Sequence, residues 1–388
     1  MIELAVGIFN GIGIGSVLLM AALGLAIVFG LMGVINLAHG ELMMLGAYAT
    51  FVVQNLFRDL DAGDAVFGLY IFVALPVAFL VSALAGLILE RGVIRFLYGR
   101  PLETLLATWG VSLILRQLVR SVNWLLAIAI VLFCALFFGG SWLLRRRPNW
   151  EGMKAWAIAI LLPLSLAISG LAGWGMSGVE ALATPWFGPR NVDVTAPPWL
   201  RGGIEVGIYQ LPYSRVFIIV LTVLCLLGIY WFFNRSDWGL RIRAVTQNRD
   251  MSACLGIPTS TVDALTFALG SGLAGIAGCA ITLLGSVGPN VGQNYIVDTF
   301  MVVVVGGVGN MFGAILAALA IGVSTYLLGS GALARLFDDI NSLQFVAEFL
   351  RFFTSTSMAR VMVFALIIAF LQVKPSGIFP QKGRTAEL

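Results

Sequence analysis

The sequence predicts an all-α fold, a polytopic transmembrane helical bundle of about 10–12 spans that includes discontinuous helices. Three observations carry this expectation. Of the 388 residues, 60% are hydrophobic and 11% are charged, a balance that does not suit a soluble core with a wet surface. A hydrocarbon layer about 30 Å thick needs about 20 apolar residues per helix, and the chain offers roughly ten such runs. The 45 glycines agree, because small residues let membrane helices approach closely. A transmembrane barrel is excluded, since barrel strands alternate apolar and polar residues and these runs are continuous.

The first run covers residues 4–31. With Glu3 and no lysine or arginine before Arg58, it lacks the basic flank of a signal peptide and is expected to be retained. It leads into GLMGVINLAHGELMMLGAY at 30–48, where Asn36, His39 and Glu41 interrupt apolar sequence among Gly33, Gly40 and Gly46. An ionised glutamate deep in a bilayer costs about several kcal/mol. Glu41 must therefore lie near a surface, be protonated, be paired or face a wet cavity. Two interpretations stay open: a helix break whose polar groups satisfy freed backbone groups, or a discontinuous helix that lines a path.

Spans are next expected at 67–89 and 104–122. The positive-inside rule puts the acidic loop with Asp59, Asp61 and Asp64 outside and the basic loop with Arg91, Arg95 and Arg100 in the cytoplasm. Arg116 and Arg120 then fall near the outer surface, which counts mildly against that assignment. Residues 123–144 and 156–172 form a hairpin joined by RRRPNWEGMK, whose Arg145, Arg146 and Arg147 mark a cytoplasmic turn. Proline, glycine and tryptophan make 173–212 an outside loop rather than a span. The run 216–233 crosses inward to residues 234–261.

That stretch is polar and basic, with Arg235, Arg241, Arg243 and Arg249 against Asp237 and Asp250. A short amphipathic helix is expected from about Asn248 to Gly256, with Pro258 beyond it. Tethered by spans at both ends, it reads as a docking surface. Further runs follow at 262–285, at 296–305, which ends in GGVGN, and at 311–328; a polar segment to about Arg360 precedes the last run, to Val373, and the basic tail KPSGIFPQKGR. The count is about eleven crossings with the N-terminus outside. The expected organisation is an N-terminal transmembrane half at 1–122 with the INLAHGE break, an inserted hairpin at 123–187, and a C-terminal half at 188–388 that carries the cytoplasmic loop 234–261.

Much chemistry is absent. There is no GxxxxGK[ST] loop for ATP phosphates, the single histidine rules out an HExxH metal site, and no serine lies in GxSxG. Asp263 and Asp298 show no partners that would make an intramembrane protease. Cys134, Cys225, Cys254 and Cys279 have no CxxC spacing, so neither zinc nor a disulfide framework is expected. The net charge of +4 gathers in short loops, as cytoplasmic loops of membrane proteins do, and nucleic acid is not an expected partner. No enzyme, cofactor or metal site is therefore expected. The groups left to meet a solute are Asn36, His39 and Glu41 on the first break, and Asn290, Gln293, Asn294 and Asp298 before the second, which is marked by Gly306, Gly307 and Asn310. Amides donate and accept hydrogen bonds without a fixed charge, which suits a small neutral polar solute. The alternative is that the second cluster only caps a helix at the outer surface.

GLMGVINLAHGELMMLGAY, RPLETLLATWGVSLILRQ at 100–117, GLRIRAVTQNRDMSACLGI at 239–257, VDALTFALGSGLAGIAG at 262–278 and PNVGQNYIVDTFMVVVVGGVGNMFGAI at 289–315 closely resemble permease subunits of the branched-chain amino acid and urea ATP-binding cassette importers. GIFPQKGR near the end is similar too. In RPLETLLATWG and AVTQNRDMSACLGI the resemblance is strongest to the urea-type permease. It implies a bacterial cytoplasmic (inner) membrane, a periplasmic solute-binding protein that delivers solute, a second permease subunit that completes the path, and two ATP-binding cassette subunits docked on the cytoplasmic side. It also implies that Arg241, Arg243, Gln247, Asn248, Arg249, Asp250 and Gly256 belong to the ATPase-coupling loop. Urea by alternating access is the first expectation, with branched-chain amino acids or short amides as alternatives. The insertion between Val122 and Phe187 departs from the family pattern, and a peripheral or packing role is expected for it. A stand-alone secondary transporter or channel is the competing class; it ordinarily needs charge pairing inside the membrane, for which Glu41 and Asp298 are the candidates.

Overall fold

The computed structural model describes residues 2–60, 63–145, 150–206, 209–338 and 344–379. Asp61, Arg146, Arg147 and the end of the GIFPQKGR tail lie outside the described residues. The apolar runs fold into α1 (Ile2–Met32), α2 (His39–Asp59), a short α3 (Asp64–Phe67), α4 (Tyr70–Gly92), α5 (Pro101–Ser121), α6 (Trp124–Arg145), α7 (Trp150–Met176) and a short α8 (Glu180–Ala183). A two-stranded antiparallel hairpin follows, β1 (Gly203–Val206) on β2 (Tyr209–Pro212), with Gly203 opposite Pro212 and Val206 opposite Tyr209. The chain continues through α9 (Tyr213–Arg235), α10 (Asp237–Gln247), α11 (Arg249–Cys254), α12 (Thr259–Thr282), α13 (Val291–Gly306), α14 (Met311–Gly329), α15 (Ala332–Asp338), α16 (Gln344–Phe352) and α17 (Thr356–Val373).

Among the described residues eight helices, α1, α4, α5, α6, α7, α9, α12 and α14, are long and apolar enough to cross a membrane. The apolar helices α13 and α17 are shorter, and α2 spans 21 residues with Glu41, Arg58 and Asp59 near its ends. The protein is a polytopic helical membrane bundle.

Local signals set the helix ends. Pro101 opens α5, where its missing N–H costs nothing. Ser236 accepts a hydrogen bond from Gly239 N at 3.0 Å to start α10, and Ser355 accepts one from Met358 N at 3.3 Å to start α17. Three boundaries differ from those read from apolar runs. α13 starts at Val291, so Gln293 and Asn294 are helical residues rather than part of a cap. The polar segment before Arg360 folds as α15 and α16, and Arg360 lies inside α17. α10 is an additional helix ahead of α11. The charged residues of α10, α15 and α16 keep them from registering as apolar runs, and Gln293 and Asn294 keep the first turn of α13 out of the run at 296–305.

The chain divides into two compact units, Met1–Leu113 with Asn191–Leu388, and Ile114–Arg190. In the smaller one α6 packs along α7. Phe133 stacks on Phe137 at 5.7 Å, Trp124 meets Trp186 edge-on at 4.8 Å, and Asn123 accepts from Leu126 N at 2.7 Å to cap α6.

In the larger unit α1 and α12 form the centre, since 83% and 78% of their spanning windows are buried. α12 packs on α4 and α2, and α1 packs on α14. These are backbone-to-backbone contacts. A Cβ added to Gly278 would stand 1.9 Å from the Met43 carbonyl oxygen, and one added to Gly46 would stand 2.3 Å from that of Gly275. On the other side, a Cβ on Gly322 would reach within 2.4 Å of Gly15 Cα. The proline-rich segment after Asn191 lies over the helix ends: Val192 bridges to Val287, Tyr70 Oη donates to Thr195 O at 2.8 Å, and Trp199 Nε1 donates to Gly68 O at 2.8 Å.

Gly278→Ala is expected to lower the melting temperature of the detergent-purified protein, with an overpacking cost of about 1–3 kcal/mol. Gly228→Ala in α9, where an added Cβ meets nothing within 4 Å, is the matched control. Equal melting of the two variants would show that the α2–α12 contact tolerates side-chain volume.

Candidate solute path and coupling surface

α1 ends at Met32, and Gly33 turns the chain with φ +67, a left-handed conformation that glycine adopts without a steric penalty. The backbone stays non-helical until α2 begins at His39. Asn36 Oδ1 accepts from Ala38 N at 3.0 Å, while its Nδ2 is buried and has no acceptor among the described residues. His39 is fully buried, and its Nε2 pairs with the Ala21 carbonyl of α1 at 3.0 Å. Its ring is wedged at a helix crossing, for a Cβ on Gly24 would lie 3.0 Å from His39 Cε1.

Glu41 is paired. Its Oε1 accepts from Ser112 Oγ at 3.0 Å, and one turn earlier on α5 Thr108 Oγ1 accepts from Leu37 N at 3.2 Å. Thr108 and Ser112 were not singled out from the sequence. The available signal is two hydroxyls spaced i, i+4 in the apolar middle of α5, which places them on one face.

The second polar cluster adjoins the first. A Cβ on Gly40 would lie 2.3 Å from Gly292 O, and one on Gly292 would lie 2.4 Å from Gly40 O, so the first turns of α2 and α13 touch through backbone. Asn290, Gln293 and Asn294 are exposed there. Asp298 is buried and faces a cavity of about 200 Å³ whose other polar lining is Arg215, Tyr295, Thr325 and Arg360. The expectation that Asp298 stands alone is thus revised, because α9 and α17 bring two guanidinium groups to the same cavity. Arg215 is itself anchored: its Nη1 donates to Asn10 O at 2.8 Å and it sits 5.4 Å over the Tyr326 ring.

At the far end of α13, Gly306 packs on Gly313, and Gly307 (φ +100) and Gly309 (φ +82) carry the chain to Asn310. Asn310 Oδ1 caps α14 by accepting from Phe312 N at 3.0 Å and Gly313 N at 3.2 Å. Gly30 of α1 lies against Gly309, where an added Cβ would be 2.5 Å from Gly309 Cα. Both breaks are therefore packed on neighbouring backbone.

Residues 234–261 fold as the helix pair α10–α11. Ile242 and Val245 bury one face of α10, while Arg241 stacks on Trp238 at 4.8 Å and Arg243 Nη1 donates to Asn234 Oδ1 at 3.3 Å. Gln247 is exposed. Asn248 Oδ1 caps α11 by accepting from Met251 N at 3.0 Å, with Asp250 in the first turn, where an acid complements the helix dipole. Gly256, at φ +81, closes α11, helped by Ile257 N donating to Ser252 O at 3.0 Å. Arg249 makes an ion pair with Asp263 of α12 at 2.6 Å. Met251 and Leu255 stand 61% and 79% exposed, an apolar pair among charges. Among the described residues no group of three His, Cys, Asp or Glu is placed to hold a metal ion.

The chain is similar to known transport proteins. It is 26% identical over 371 residues to the high-affinity branched-chain amino acid transport system permease protein BraD of Pseudomonas aeruginosa, covering 95% of this chain and 93% of that protein. It is 24% identical over 373 residues to the high-affinity branched-chain amino acid transport system permease protein LivH of Escherichia coli K12, again covering 95% and 93%. A shorter stretch of 111 residues is 32% identical to the xylose transport system permease protein XylH of Haemophilus influenzae, covering 27% of this chain and 29% of that protein. No solved structure matches the chain. The family model described as branched-chain amino acid transport system / permease component matches residues 7–371, and the chain belongs to that family of transport permeases, which are not enzymes.

Proposed function

We propose that the protein is the permease subunit of an ATP-driven importer in a bacterial inner membrane, and that it moves urea by alternating access. The observation that carries the importer assignment is the α10–α11 surface. It is polar and basic, exposes Met251 and Leu255, and belongs to a chain with no phosphate-binding loop of its own. That combination suits a docking site for separate ATP-binding cassette subunits, with a second permease subunit completing the path and a periplasmic protein delivering the solute.

Urea as solute is supported by the resemblance of RPLETLLATWG and AVTQNRDMSACLGI to the urea-type permease. It is also supported by a path of neutral polar groups where α2 meets α13. Asn36 Nδ2 is a buried donor with no acceptor among the described residues, and a buried donor left unsatisfied costs about 1–3 kcal/mol, which a solute carbonyl would remove. Asn290, Gln293 and Asn294 offer further, exposed amides at the start of α13, which touches α2 through Gly292 and Gly40, and the break at Gly306, Gly307 and Asn310 separates α13 from α14. A branched-chain amino acid is the second candidate, favoured by the relatives' names and by the cavity of Asp298, Arg215 and Arg360, whose charges complement an ammonium and a carboxylate.

Proteoliposomes holding the chain with its permease and ATPase partners and the binding protein are expected to take up labelled urea only with ATP. Uptake of leucine in place of urea would transfer the proposal to the amino acid, and equal uptake without ATP would overturn the importer assignment. Asn36→Ala is expected to lower kcat/KM for the solute about tenfold, a loss of about 1.4 kcal/mol, and unchanged kinetics would remove Asn36 from the path. Gly256→Pro, which proline's fixed φ cannot accommodate, is expected to cut uptake per ATP hydrolysed by about tenfold or more; normal coupling would take the end of α11 out of the mechanism.

A further inference from the structure

α11 has little packing of its own. Ser252 is its buried residue, and Met251 and Leu255 point away from the bundle. What joins it to the helices is a string of charged and aromatic groups at one end of α4 and α12. Glu90 in the last turn of α4 and Asp263 in the second turn of α12 are both buried, at 1% and 4% exposure. Two buried carboxylates on packed helices repel unless something compensates them. Arg249 of α11 supplies that compensation. It pairs with Asp263 at 2.6 Å, and its guanidinium lies 5.3 Å over the ring of Tyr98, whose Oη donates to Glu90 Oε1 at 3.0 Å.

Tyr98 sits in the link between α4 and α5, next to Arg95 on the preceding helical turn. Burial first, and then the Glu90 and Asp263 carboxylates, hold its phenol well above the ordinary range, so it remains a donor. The cation–aromatic contact is strongest where water is excluded. Arg95 also faces both carboxylates, and Arg91 faces Glu90; Arg249 is the cation that belongs to α11.

The string continues toward the solute path. Ser82 of α4 donates to the Leu42 carbonyl in the first turns of α2 at 2.8 Å, and Gly275 of α12 lies on Gly46 of α2. His39 and Glu41 are on that same end of α2.

We propose that Arg249 is the positioning residue through which α11 grips the α4–α12 pair, so that displacement of α11 is passed to these helices and from them to the start of α2. This rests on the importer assignment. Separating Arg249 from its partners takes the ion pair from a buried carboxylate and leaves Asp263 with Arg95 as the other cation facing it, so the string opposes independent movement of α11.

The test uses the reconstituted complex in which hydrolysis and uptake are measured together. Coupled uptake by the unaltered complex is the entry condition, and its absence would sink the importer assignment rather than the grip. Given that coupling, Arg249→Ala is expected to lower uptake per ATP hydrolysed at least about tenfold. The exchange of charges, Arg249→Asp with Asp263→Arg, should recover most of it, which loss of structure would not. Coupling is next measured in one preparation of an Arg249→Cys, Asp263→Cys, Cys254→Ser protein, before and after a short bifunctional thiol reagent. Recovery on cross-linking supports the grip without depending on how well any variant folds. Unchanged coupling in Arg249→Ala, or equal coupling before and after the cross-link, would overturn the proposal.

Discussion

The rest of this bundle depends on helices meeting at backbone distance. In a lipid interior apolar side chains gain nothing from leaving lipid for protein, so association rests on close fit and on the few polar groups that pair across helices. The glycines supply that fit where it matters. Gly278 lies on the Met43 carbonyl, Gly46 on Gly275, Gly40 on Gly292, and Gly15 on Gly322. Each leaves no room for a methyl group, so α2 is held at backbone distance to α12 on one side and to α13 on the other.

That constraint explains how a costly glutamate and an interrupted helix persist in the middle of the apolar sequence. The backbone freed between Met32 and His39 and the carboxylate of Glu41 are answered by neighbours: Thr108 and Ser112 on α5, and the Ala21 carbonyl for the imidazole of His39. Non-helical backbone at membrane depth is tolerated only when it is buried in protein or lines a wet cavity. Here protein surrounds it, and Asn36 Nδ2 and His39 Nδ1 are buried polar atoms without a hydrogen-bond partner among the described residues.

The same close fit gives a route for force. α10–α11 is tied to α12 and to the α4–α5 link by charge and aromatic contact, while α4 and α12 are tied to α2 by Ser82 and by glycine. α11 is a short helix that exposes Met251 and ends at the exposed Leu255. Its caps, Asn248 and Gly256, are made within the chain, so α11 is a preformed element.

How much of this was legible in the sequence follows from the range of each interaction. Composition and run length determined a helical membrane bundle, because the cost of unpaired backbone in lipid leaves continuous apolar runs no alternative. The positions of α11 and of the first break were readable from Asn248, Gly256 and Gly33, since capping and positive φ are local chemistry. The start of α13 was not, because Gln293 and Asn294 interrupt its apolar run, nor was the existence of α10, α15 and α16, whose charged residues keep them from showing as apolar runs. The pairing of Glu41 with Ser112, the cavity that gathers Asp298 with Arg215 and Arg360, and the bridge from Arg249 to Asp263 were decided only by tertiary structure. Each joins side chains from helices far apart in the chain, and nothing local in either partner records the other.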